Sequence, residues 1–158
     1  MTDLSPIRKS IDVPLPPKEA FALFTERLAD WWPVETHSLS AADGGRPSDV
    51  VVEPRQGGQI VETLPDGQTK PWARITEWSP GRRFAFDWHV GRDEADATQV
   101  DIVFAPNGEG CRVDLTHDGF AGLGEVAMRS HASYLTGWDG VLALFVSAAK
   151  DTVVAVRP

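Results

Sequence analysis

One cysteine, one tyrosine and two methionines are all that the 158 residues hold of these types. A lone Cys111 precludes an intramolecular disulfide and leaves no cysteine pair to start a zinc site, which suits a reducing, cytoplasmic compartment. Positive charge is short as well. Fifteen Lys and Arg against 23 Asp and Glu give a formal charge of −8, which opposes the counterion release that drives nucleic-acid binding. Nucleic acid and anionic membrane are therefore not expected partners. No segment supplies the ~20 consecutive apolar residues that a membrane span needs. The start, Met1 to Pro6, lacks the basic and apolar regions of a secretory signal. His37, His89, His117 and His131 never fall in an HxH or HExxH spacing, so no metal is expected. Gly44-Gly45 and Gly57-Gly58 lack the lysine of a phosphate loop and the spacing of a dinucleotide fingerprint; both read as turns, and no cofactor is expected.

What the chain does have is apolar bulk. Hydrophobic residues make up 42% and charged residues 24%, a globular balance. A chain of this length reads as one domain over 1–158 that buries roughly 70% of its unfolded surface. Six of its residues are tryptophan, each bringing a large apolar body and an N–H that needs a partner when buried.

The pattern along the chain is α+β. Ile7, Ile11 and Val13 alternate with polar residues as on a half-buried strand, and Pro14-Leu15-Pro16-Pro17 stops it. A helical stretch follows, with Phe21, Phe24 and Leu28 on one face, and ends at Trp31-Trp32-Pro33. The polar, small-residue stretch 34–48 reads as a flap over a site. Short strand-like runs then alternate with turn signals such as Gly57-Gly58, Asp66-Gly67, Pro80-Gly81 and Asn107-Gly108. With the first strand they make about seven strands. Beyond Gly119–Gly124 the period changes to 3.6. Ala127, His131, Tyr134, Trp138, Val141, Leu142, Phe145 and Ala149 share one face of a long helix, against which only Gly137 and Gly140 argue.

Several local motifs narrow the fold. Val13-Pro14-Leu15-Pro16-Pro17 before Ala20-Phe21, Trp31-Trp32-Pro33, Glu53-Pro54-Arg55 with Gly57-Gly58, Trp78 to Phe84, Phe86-Asp87-Trp88, Thr116 to Phe120, and Tyr134 with Gly137-Trp138 together resemble the SRPBCC superfamily. Within it the chain is similar to the branch of activator of heat-shock-protein ATPase homologues. The resemblance runs from about Ile7 to Phe145. It implies a START-like helix-grip fold, in which a curved antiparallel sheet wraps a long C-terminal helix after two short helices. It also implies a deep pocket between sheet and helix for hydrophobic small molecules.

The candidate pocket residues come from the inward faces. Phe86 and Trp88 share a face with Phe84, and Phe104 shares one with Val100 and Ile102. Trp31, Trp32 and Trp138 flank the space, whereas Trp72 shares a face with Arg74 and not with Ile75, which leaves its direction open. Glu62 lies on the face of Ile60 and Leu64, where a buried carboxylate must pair or bind something polar; a solvated rim position is the alternative. His117, beside Val113 and Leu115, and Tyr134 on the helix stripe are the remaining polar candidates. Each of these residues also has a plain reading as core.

Three functions fit. The first is a binding protein for a small apolar molecule bearing one or two polar groups. The second is an enzyme of the cyclase, dehydratase or hydrolase kind, with Glu62, His117 or Tyr134 doing acid–base work in the same pocket. The third is an interaction module like a chaperone-ATPase activator, working through an exposed sheet edge or helix face, which predicts an exposed apolar patch together with a filled interior. Assembly as a homodimer is left open.

Overall fold

The computed structural model describes residues 4–33, 47, 49–90 and 93–156. The stretch 34–48 read as a flap lies outside the described residues except for Pro47, and so does His37. The strands are β1 (Ile7–Val13), β2 (Asp49–Val52), β3 (Gln59–Thr63), β4 (Thr69–Ser79), β5 (Arg83–Trp88), β6 (Thr98–Asn107) and β7 (Gly110–Asp118). They form one antiparallel sheet in the order β1-β7-β6-β5-β4-β3-β2. Every neighbour but one is the next strand in sequence; β1 closes against β7, so the first strand joins the far end of the meander. Two short helices, α1 (Pro17–Thr25) and α2 (Leu28–Trp31), follow β1, and α3 (Ala127–Val156) ends the described chain. This is the curved-sheet, long-helix α+β architecture that the sequence pattern implies.

Local chemistry explains these elements. Pro17 opens α1 at a position where its missing N–H costs nothing. The β6–β7 hairpin turns through two residues between Asn107 and Gly110, and Gly108 takes the positive φ, 61°, that such a turn demands. Gly137 and Gly140 stay inside α3, and a Cβ at either would meet nothing within 4 Å. About eight helical turns with a buried stripe outweigh their propensity cost of about 1 kcal/mol each.

The core lies between the concave face of the sheet and the helices. Seven of the eight stripe residues of α3 are buried and Tyr134 is partly buried. Along β6, Thr98, Val100, Ile102 and Phe104 point inward while their neighbours face out. The outer face carries exposed ion pairs. Arg83 grips Asp101 with two hydrogen bonds of 2.8 and 2.6 Å, and Arg74 hydrogen-bonds Glu94, which holds that carboxyl below its ordinary range. Exposed pairs of this kind add little stability, because water screens them.

β4 departs from simple alternation. Ile60 pairs with Ala73 but Val61 pairs with Pro71, so Trp72 is an extra residue bulged out of the ladder. Trp72 and Ala73 are consequently both fully buried, and Ile75 remains buried too. The bulge resolves the direction of Trp72: it points inward.

Candidate functional site

Four indoles meet under α3. Trp32 lies 5.7 Å from Trp72, 5.8 Å from Trp88 and 6.1 Å from Trp138, and Trp72 and Trp88 are themselves 5.8 Å apart, all between ring centroids. Trp31 is 5.8 Å from Trp32 on the other side and packs 5.0 Å from Phe145. The two adjacent tryptophans part company because α2 ends at Trp31, and Trp32 is extended, with ψ 137°. One ring goes under the helix pair and the other into the centre of the cluster.

Each wall indole is anchored through its N–H. Trp72 Nε1–H donates to Glu62 Oε1 at 2.8 Å, Trp88 to the Tyr134 hydroxyl at 2.8 Å, and Trp138 to His117 Nδ1 at 3.0 Å. Trp31 donates to the Leu23 carbonyl at 3.0 Å. Glu62 is fully buried on β3, so the inward reading of its face holds and it pairs, as burial requires. Arg74 pairs with Glu94 on the outer face instead.

The histidine at the centre has a defined protonation pattern. An indole only donates, so Nδ1 of His117 must accept and the proton of the neutral ring sits on Nε2. Nε2 then donates to Thr98 Oγ1 at 2.7 Å, and Thr98 donates on to the Trp88 carbonyl at 3.4 Å. Both ring nitrogens of His117 are engaged in this relay, so proton abstraction by His117 would require breaking it. Phe120 and Tyr134 stack around the ring at 4.6 and 4.8 Å. Thr98 escaped the sequence reading; its signal was a polar residue in phase with Val100, Ile102 and Phe104.

Not every candidate joins this group. Phe86 lies at its margin, 5.6 Å from Trp88 and 4.9 Å from Phe84. Phe104 packs in another part of the same core, beneath α1, 5.3 Å from Phe21 and 6.2 Å from Phe24. Among the described residues no group of His, Cys, Asp and Glu could hold a metal ion. Cys111 is buried, and burial pushes its thiol pKa up, as for an inert core cysteine. His131 hydrogen-bonds the Ser5 carbonyl at 2.8 Å and so ties the chain start to α3.

Among the described residues His89 is the exception to good polar accounting. It is 3% exposed, and neither ring nitrogen has a hydrogen-bond partner among them. An unsatisfied buried polar group costs about 1 to 3 kcal/mol, whereas an apolar group of similar shape does not. His89→Phe is expected to leave stability unchanged or raise it by about 1 kcal/mol in urea melts; a clear loss would show that the imidazole is hydrogen-bonded in solution.

A family model described as activator of Hsp90 ATPase homolog 1-like protein matches residues 14–149. The chain belongs to the AHSA1 family. Among solved structures, this AHSA1 chain is similar to a protein from Rhodobacter sphaeroides, with 19% identity, a TM-score of 0.68 and coverage of 99% of this chain and 96% of that one. The Aha1 dimer from Colwellia psychrerythraea shares 16% identity at a TM-score of 0.66, covering 91% and 95%. At such identities the likeness is one of fold. The anthrahydroquino-gamma-pyrone synthase Txn09, solved with SUM, shares 29% identity at a TM-score of 0.61, covering 90% of this chain and 95% of that one. No curated protein matches the chain significantly. Among the described residues no helix is long and apolar enough to cross a membrane.

Proposed function

We propose that the protein binds a small planar aromatic molecule between the sheet and α3, in the space that the Trp32 ring fills. The observation that carries this reading is the cage itself. Three indoles from β4, β5 and α3 are each fixed by an N–H hydrogen bond, buried for Trp72 and Trp138 and part-buried for Trp88, and a fourth, from the end of a four-residue helix, lies among them. Core packing alone rarely gathers so many tryptophans at one point, and flat, polarisable walls suit a flat ligand. The 29% identity to a protein named for a fused aromatic pyrone supports the same class of ligand.

The interaction-module reading draws less support. The large apolar side chains that are exposed among the described residues, Val51, Val103, Val126, Met128, Leu135 and Leu144, are spread over β2, β6 and α3 and its approach. Leu144 lies almost opposite Met128 on the helix. Scattered exposure of this kind is ordinary.

A second reading, that the bound molecule is also chemically changed, has one observation in its favour: the likeness to a synthase. Glu62 and Tyr134, at the N–H ends of neighbouring indoles, are the groups placed for acid–base work. That reading expects an anthrahydroquinone-type compound to leave the protein altered in mass, and Glu62→Gln to prevent it.

The binding reading is tested with chromone, a small fused pyrone. Saturable quenching of tryptophan emission together with a raised melting temperature is expected, since a ligand of the native state stabilises it by mass action. Chromone that neither quenches nor stabilises at millimolar concentration would count against the site.

A further inference from the structure

Tyr134, the one tyrosine of the chain, has a proton to give. Its hydroxyl accepts the Trp88 indole N–H at 2.8 Å. An indole N–H cannot accept in return, so the phenolic O–H is still to be placed. Among the described residues nothing receives it. The other polar groups of the cage wall differ in this respect: the N–H groups of Trp72, Trp88 and Trp138 and both nitrogens of His117 all have partners inside the protein.

The donor is also held and strengthened. The phenol ring stands 4.8 Å from His117, itself fixed by Trp138 and Thr98, and 6.0 Å from Phe120. A hydroxyl that accepts one hydrogen bond becomes a better donor of the next, through polarisation along the chain. Tyr134 is partly buried at the margin of the cage, where a ligand oxygen beside Trp88 would come within reach.

We propose that Tyr134 donates a hydrogen bond to a carbonyl or enolate oxygen on the planar ligand, so that the site selects oxygenated aromatics (ketones, quinones, pyrones) over hydrocarbons. This rests on the proposed function and adds to it the chemical class that the site prefers. A neutral hydrogen bond in such a place changes affinity by about two- to tenfold.

The experiment compares chromone with naphthalene, a fused bicycle of similar size without oxygen, by calorimetry on wild type and Tyr134→Phe. It adds the infrared carbonyl stretch of bound chromone. Wild type is expected to favour chromone by up to about tenfold, the variant to bind both alike, and the carbonyl band to lie lower in wild type than in the variant. Equal affinity of wild type for the two probes would overturn the inference and leave the aromatic site standing. So would a preference, or a band position, that survives in the variant. Failure of wild type to bind either probe would remove the site and the inference with it. If the variant does not fold, the wild-type band decides: a carbonyl stretch no lower than that of chromone in hydrocarbon solvent overturns the assignment.

Discussion

Replacing Phe145 with alanine is expected to lower stability by about 3 to 5 kcal/mol, the range for deleting a fully buried large aromatic. Phe145 has no exposed surface, and its ring stands 5.0 Å from both Phe24 and Trp31. The transfer term is therefore at its maximum. The cavity term should be large too, because the flat, rigid rings around the site cannot collapse into the hole as a methionine would. For a chain of this size the melting temperature would fall on the order of 10 °C. An unaltered urea midpoint would remove Phe145 from the core. Phe145 also joins the two halves of the interior, since it supports Trp31, which in turn touches Trp32.

What could be read from the sequence followed the range of the physics. The α3 stripe and the alternation of β6 are set by periodicity over neighbouring residues, and the structure buries those positions. Trp72 could not be assigned because a bulge is a property of two strands: the extra residue appears only when Ile60 meets Ala73 and Val61 meets Pro71. Phe104 was read as part of the pocket because alternation gives the face of a strand and not the distance along it. Its partner across the ladder is Val113, four pairs beyond the Val100–His117 pair that lies at the cage. The His117 relay was hidden for the same reason, since its members come from β6, β7 and α3, and only the folded chain brings them together. Glu62 shows the opposite case. A lone carboxylate on an apolar face had to find a donor, and the residue that supplies one was the tryptophan whose direction was in doubt.

Removing the central ring should have a second large effect, this time on binding. If a planar ligand takes the place of the Trp32 indole, the wild-type protein must first expel that ring into water, and re-exposing a large apolar side chain costs roughly 1.5 to 3 kcal/mol. Trp32→Ala is spared that cost and should bind chromone about ten- to a hundredfold more tightly than wild type. The variant itself should be less stable by about 3 to 5 kcal/mol, so affinities must be measured well below its melting temperature, and the ligand should restore part of the lost stability. The opposite sign is equally informative. A ligand that stacks against Trp32 would lose a wall of its site in the variant, and its affinity would fall. The two geometries thus predict opposite changes from one substitution: tighter binding identifies Trp32 as the group that occupies the site when it is empty, and weaker binding makes it a contact.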